Sequence, residues 1–375
     1  MATTAREALP RGLLLLLGAG AAVVVLAGVR AVNDLVAPAF LALVLTLLVH
    51  PVRQWLQDRK WPTWAATVAC ILAVYGILLG LAAALVIATA RFATLLPTYQ
   101  DKLNDLIDDA VRQLNELGVG NDQIQAFLDS LDFSQLSGVI TGVLGGLAGV
   151  VSNLVFILTL VLFMTFDAGS FPANLAATAR DRPGIASAFQ LFASGTRTYL
   201  LVSTVFGLIV AVLDTIALAL MGIPVPVLWG LLAFITNYIP NIGFVIGLIP
   251  PAVLALLEGG PGLMIAVIVV YCVINLILQS VIQPKFVGDA VGLSTSITFL
   301  SLVFWTFVMG PLGALLAIPL SLLVKAILVD VDPGNAWMEP LLSNRPAKAV
   351  TASDTEEPEE PEQDSPGVPD RAPAS

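Results

Sequence analysis

A single aspartate inside an apolar stretch is the first residue of this chain that could do chemistry. Asp214 sits among Val212, Leu213, Ile216 and Leu218, well within the apolar block Tyr199–Met221. At such depth in hydrocarbon a carboxyl is strongly disfavoured unless it is paired, hydrated or protonated, which makes it a candidate proton or cation site. The plainer alternative is a protonated carboxyl hydrogen-bonded to a neighbouring helix. A second candidate is the string Asn237-Tyr238-Ile239-Pro240-Asn241-Ile242-Gly243. Proline removes a helical hydrogen bond and glycine loosens the turn. Carbonyls freed there, together with the amides of Asn237 and Asn241, suit cations or hydroxyl groups. Asn275, Gln279 and Gln283 recur every four residues, so one helix face is polar and must meet protein or water rather than lipid. These amides either hold a solute or join helices. Gly310-Pro311-Leu312-Gly313 is a second break, and Pro311 and Gly313 are candidates by analogy with Pro240 and Gly243.

Other chemistry is missing from the sequence. There is no phosphate-binding Gly-x-x-x-x-Gly-Lys-Ser/Thr and no His-Glu-x-x-His. The one histidine, His50, stands beside Pro51 and a basic cluster and reads as interfacial. Cys70 and Cys272 lie in apolar blocks, which rules out a disulfide framework. The chain is not read as an enzyme, and no cofactor, metal or nucleic-acid partner is expected.

The elements that must position these residues follow from composition. Of 375 residues, 57% are hydrophobic and 12% charged, against about 25% charged in soluble domains. The apolar residues fall in long blocks near the ~20 residues of a helical crossing. The backbone must satisfy its own hydrogen bonds in lipid, so the blocks are predicted helices and the fold class all-α, polytopic and transmembrane. About eight hydrophobic segments can be marked: Leu13–Val29, Leu35–Val49, Thr63–Ala90, Val139–Phe166, Tyr199–Met221, Pro224–Leu257, Leu263–Ile282 and Ile297–Val329.

Pro224–Leu257 and Ile297–Val329 are too long for one crossing and too short for two. They also resemble each other. Gly222 and Gly292 precede them, Phe234 and Phe304 lie twelve residues later, and Gly243 and Gly313 both lie at +21. The match predicts two re-entrant hairpins in an inverted repeat, the arrangement that marks binding sites in transporters. The competitor is eight full crossings, which would move Lys285 to the opposite side.

Charge sets the orientation. Arg6 and Arg11, then Arg53, Arg59 and Lys60, then Arg180, Arg182 and Arg197 fall on one side if the N-terminus is cytoplasmic. The division expected is a cytoplasmic N-terminus (1–11), transmembrane helices (12–92), an extracytoplasmic amphipathic segment (93–138), a transport region (139–329) broken at 224–257 and 297–329, and a cytoplasmic disordered acidic tail (330–375). In the extracytoplasmic segment Tyr99, Leu103, Leu106, Ile107, Ala110, Val111, Leu114 and Leu117 mark one helical face, and a second short helix is predicted from Ile124 to Leu131. From Thr351 onward the tail supplies seven of the ten net negative charges and cannot bury enough apolar surface to order itself.

Several strings resemble one family. They are Pro38-Ala39-Phe40-Leu41-Ala42 running to His50-Pro51-Val52-Arg53; the Asn237–Gly243 string; Gln283-Pro284-Lys285-Phe286-Val287-Gly288-Asp289-Ala290-Val291-Gly292-Leu293; and Gly310-Pro311-Leu312-Gly313-Ala314-Leu315-Leu316-Ala317-Ile318-Pro319-Leu320. Together they resemble the AI-2E (autoinducer-2 exporter) transporter family over about residues 10 to 330. The chain departs from that pattern at Ser294-Thr295, where members commonly carry a proline. Asp214 lies outside the strings that carry the likeness. The resemblance implies an inner-membrane, oligomeric protein. Some members are associated with export of the quorum-sensing signal, others with sodium (or lithium)/proton exchange. Three functions stay open: export of a small polar solute, cation/proton antiport, and a non-transporting membrane scaffold. The breaks and buried polar groups speak against the scaffold.

Overall fold

The computed structural model describes residues 10–116, 153–240, 242–283 and 292–342, and among them all regular structure is helical. Only Val32 separates α1 (Arg11–Ala31) from α2 (Asn33–Asp58). Helix α3 (Thr63–Glu116) has 54 residues, so it runs for roughly 80 Å. The third apolar block and the amphipathic stretch that follows it are therefore one unbroken helix. The second helix expected from Ile124 to Leu131 lies outside the described residues, as do Lys285 and Asp289. Helices α4 (Asn153–Asp167) and α5 (Phe171–Asp181) meet at a bend of 61°. Then come α6 (Pro183–Leu220), α7 (Pro226–Thr236) and α8 (Gly243–Asn275), the last continuing into a π-helical turn, Leu276–Ile282.

Ser294 stands at the N-cap of α9 (Thr295–Leu315), its hydroxyl accepting from the Ile297 N–H. Serine thus caps this helix through its side chain. Helix α10 (Ala317–Lys325) leads into a second π turn, Ala326–Asp330. A 3₁₀ turn (Pro333–Met338) and α11 (Glu339–Leu342) follow, and the Leu342 carbonyl accepts from the Ser294 N–H at 2.7 Å. The first residues of the expected tail are thus helical turns tied back to the start of α9. The acidic stretch from Thr351 lies outside the described residues.

Five helical stretches are long and apolar enough to cross a membrane, or six if α4 and α5 count as one bent span. Their outer faces are apolar and bare: Leu72, Val155, Phe163, Leu208 and Leu220 are all exposed. Residues that water would penalise in this way are suited to lipid.

The two long C-terminal blocks each fold back on themselves. Helix α7 has 11 residues, about 16 Å and half of a ~30 Å hydrocarbon core. It packs on the first turns of α8 because glycine lets the arms close up. A Cβ at Gly243 would fall on the Thr236 carbonyl, and one at Gly247 would lie 3.0 Å from the Thr236 hydroxyl. In the second block, a Cβ at Gly313 would fall on the Trp305 carbonyl. There the arms are pinned by the Trp305 indole N–H, which donates to the Ser321 hydroxyl at 3.0 Å. Two further glycines break α8 and α9, at Gly260 (φ 73°, ψ −168°) and Gly310 (φ 66°, ψ −148°). Each precedes a proline, which forbids the helical conformation, and each adopts a backbone geometry essentially closed to other residues.

Helix α6 is the spine between these hairpins. Phe192, Tyr199 and Leu200 in its first half share a core with Trp305, Met309, Leu316 and Leu320 of the second hairpin and Phe40 and Val44 of α2. Leu218 near its end shares another with Leu228, Trp229, Leu254, Val267 and Tyr271 of the first hairpin and α8. The tips converge: Tyr238, Ile239 and Ile242 of the first pack on the cluster holding Met309, Ala314 and Leu316 of the second.

Candidate functional site

Helix α6 turns one buried stripe toward the first hairpin, reading Tyr199, Ser203, Gly207, Val210, Asp214 and Leu218. Steps of three and four keep these residues on one face. The stripe receives the hairpin tip in register. Tyr199 donates its hydroxyl to the Tyr238 carbonyl at 2.8 Å. The Thr204 and Tyr238 hydroxyls are 2.7 Å apart. Gly207 leaves room for the Asn237 side chain, whose Nδ2 would lie 2.8 Å from a Cβ there. Further along, a Cβ at Gly230 of α7 would fall on Thr215, so α6 and α7 also meet through a glycine.

Asn237 is the joint of the site. It caps the C-terminus of α7, its Nδ2 donates to the Ser203 carbonyl at 2.9 Å, and its Oδ1 accepts from Gln279 Nε2 at 2.8 Å. One amide thus holds three elements: α6, the hairpin tip and the π turn after α8. The π turn begins directly after Asn275, and such turns recur at functional sites.

Behind Asn237 lies a small cavity lined by Asp214 of α6, Thr236 and Asn237 of the tip, Phe244 and Gly247 of the second arm, and Tyr271, Asn275 and Gln279. Its free volume takes the centre of about one water, ≈ 10 Å³. Asp214 is 0% exposed and Tyr271 1%. Neither carboxyl oxygen of Asp214, nor the Tyr271 hydroxyl, nor Asn275 Oδ1 has a hydrogen-bond partner, although Asn275 Nδ2 donates to the Tyr271 carbonyl at 2.9 Å. Buried polar atoms are normally paired, so four orphans on residues around one cavity make it a candidate site for a proton, a cation or a hydroxyl-bearing solute. Among the described residues no cluster of His, Cys, Asp and Glu suits a metal ion.

Of the residues singled out from the sequence, the structure brings Asp214, Asn237, Asn275 and Gln279 together around this cavity. Gln283 is half-buried just beyond the π turn. Pro240 and Gly243 shape the tip without lining the cavity, and Asn241 lies outside the described residues. Pro311 is exposed and Gly313 buried at the other hairpin's tip, and neither lines the cavity. Sequence reasoning passed over Tyr271, Ser203 and Thr204. Tyr271 left a signal, since it precedes Asn275 by the same four residues that separate Asn275 from Gln279. Ser203 and Thr204 left none, because hydroxyls in transmembrane helices commonly bond their own backbone.

The model of the AI-2E family transporter matches residues 19–331. The AI-2 transport protein TqsA of Escherichia coli (strain K12) is 30% identical over 328 residues, 87% of this chain and 94% of that protein. A putative transport protein of Haemophilus influenzae is 30% identical over 338 residues, 88% of this chain and 96% of the other. The putative transport protein YhhT of Escherichia coli (strain K12) is 27% identical over 331 residues, 88% of this chain and 94% of that one.

Proposed function

The chain belongs to the AI-2E family of membrane transporters, and we propose that it is a secondary exporter of a small polar solute such as a quorum-sensing signal. One observation carries this reading: the four orphaned polar atoms of Asp214, Tyr271 and Asn275 around a cavity walled by a hairpin tip. A polyol or hydroxyfuranone presents hydroxyls that can donate to Asp214 and Asn275 Oδ1 and accept from Tyr271. The name of the Escherichia coli relative, an AI-2 transport protein, agrees with such a substrate. In this reading both hairpins are re-entrant, the tips meet inside the bilayer, and solute passes when the first tip leaves the α6 stripe. Gln283 borders the path on the far side of the π turn, and Pro240, Asn241 and Gly243 form the moving tip. Pro311 and Gly313 form its fixed counterpart. We assign the protein to the bacterial cytoplasmic (inner) membrane as a homo-oligomer with both termini cytoplasmic.

Cation/proton antiport is the second reading, and the size of the cavity favours it. A space for about one water also fits a bare sodium or lithium ion, and Asp214 would carry either the ion or a proton.

Purified protein in proteoliposomes distinguishes the two. Vesicles loaded with labelled autoinducer-2 are followed for carrier-dependent efflux, and vesicles with an imposed proton gradient are challenged with sodium or lithium. Efflux that disappears in Asp214→Asn supports solute export. Collapse of the gradient by the cation, without efflux, replaces it with antiport. Neither response from monodisperse protein would remove both.

A further inference from the structure

A second small cavity lies where α2, α3 and α4 meet. Thr46, His50 and Arg53 of α2, Cys70 of α3 and Thr165 of α4 line it, and its free volume again takes about one water. Its residues are distinct from those around Asp214. Arg53 is only 8% exposed, yet its Nε has no hydrogen-bond partner. His50 Nδ1, and Thr196 Oγ1 and Arg197 Nε on α6, are likewise sealed without partners. Arg53 and His50 share this cavity, and Arg197 lies on α6, which packs against α2. Neither arginine forms an ion pair among the described residues. Asp167, beside the α4–α5 bend, is exposed and pairs with neither.

The backbone is shaped to admit Arg53. At the bend, a Cβ on Gly169 would stand 2.9 Å from Nη2 of Arg53. A buried charge normally has a counter-ion and a full set of hydrogen bonds. Here Arg53 is buried without a counter-ion among the described residues, and its Nε, like His50 Nδ1 and Arg197 Nε, has no hydrogen-bond partner. The depth of the cluster narrows the missing partner. Trp55, Trp61 and Trp64 are all exposed close to it in sequence, and the Arg59 guanidinium lies 3.9 Å over the Trp55 ring. Exposed tryptophans with basic neighbours mark the level of lipid headgroups.

We propose that His50, Arg53 and Arg197 form a phosphate-binding site at the junction of α2, α4 and α6. The planar fork of arginine matches the oxygens of a phosphate, and charge-assisted bonds of this kind are the strong ones. The cavity takes one phosphoryl oxygen, and the rest of the group stays at the mouth. The phosphate belongs either to a phospholipid headgroup or to a soluble phosphate compound.

Calorimetric titration of delipidated full-length protein in a phosphate-free maltoside detergent tests this. The titrants are inorganic phosphate and dihexanoyl-phosphatidylglycerol, with sodium chloride of equal ionic strength as control. Saturable binding of at least one phosphate compound is expected, weakened about tenfold or more by Arg53→Gln and by Arg197→Gln. Binding of the lipid alone identifies a headgroup site, and binding of inorganic phosphate as well identifies a site for soluble phosphate compounds. Arg197 is only half-buried, so its variant keeps the test decisive if Arg53→Gln does not fold. Failure of both titrants to saturate wild-type protein overturns the proposal, as does equal affinity in wild type and folded Arg197→Gln.

Discussion

The two hairpins share one backbone device and differ in what surrounds it. In both, a glycine after the turn sits on a carbonyl of the first arm: Gly243 on Thr236, and Gly313 on Trp305. Around the first tip the packing is polar and incomplete. Asn237 ties three elements together, and the carboxyl of Asp214 stands unpaired behind it. Around the second tip the packing is apolar and complete. Met309, Leu316, Ile318 and Leu320 are buried, and the one indole N–H there finds Ser321. The far ends differ too. Glu258, where the second arm of the first hairpin ends, accepts from Tyr99 and Lys102 of α3, both at 2.6 Å. Burial, and then this hydrogen bond to the carboxylate, hold the Tyr99 phenol above its ordinary range, so it remains a donor. The second hairpin closes on itself, Lys325 pairing with Asp330 at 2.7 Å across the five-residue spacing of a π turn. One fold element, used twice, thus serves once as a lining with unmet hydrogen bonds and once as a packed support.

This contrast can be broken or sharpened by substitution. The largest effect is expected from Asp214→Asn, which should abolish transport in proteoliposomes at an unchanged melting temperature, whereas Trp305→Phe in the second hairpin should leave transport measurable. Equal losses in both would erase the distinction between lining and support. Next come Gly243→Ala and Gly313→Ala. Each forces a methyl group onto a carbonyl, so each should lower stability by about 1–3 kcal/mol, read as a fall in detergent melting temperature. Tolerance of one but not the other would show that the two tips do not share the device. Asn237→Ala leaves the Gln279 amide without its acceptor, a loss of about 1–3 kcal/mol, and transport should weaken with it. Ser321→Ala in the second hairpin leaves the Trp305 indole N–H without its acceptor, a similar loss of about 1–3 kcal/mol, but should spare transport. The smallest effect is expected from Glu258→Gln. Lys102 is 36% exposed and Glu258 25%, so the ion pair should contribute about 0–1 kcal/mol and fade in salt.

Much of this was legible without coordinates. Length and apolarity of the blocks announce membrane helices, because hydrocarbon leaves the backbone no other partner than itself. Gly-Pro and Pro-x-x-Gly strings announce breaks, because the conformations they need or forbid are local. The carboxyl of Asp214 in an apolar setting is equally plain. Less legible was the continuity of α3. The acidic face after Ala90 reads as a new segment, although nothing in its backbone stops the helix before Glu116. Pro311 and Gly313 resemble Pro240 and Gly243 in spacing, yet only the first pair belongs to the tip beside the unpaired carboxyl.

By itself the sequence determined an all-helical membrane protein, its family strings, its paired breaks and the residues able to carry charge or amides inside the bilayer. Each of these depends on residues adjacent in the chain or a helical turn apart. Only the tertiary structure decided which of the two breaks faces Asp214, that Tyr271 joins the site, and that Asn237 bonds to both Ser203 and Gln279. Those partners lie far apart in sequence, and apolar helices of similar composition can pack in many registers. Close contact through Gly207, Gly230 and Gly247 selects one of them, and periodicity along a single helix carries no information about which neighbour that contact will bring.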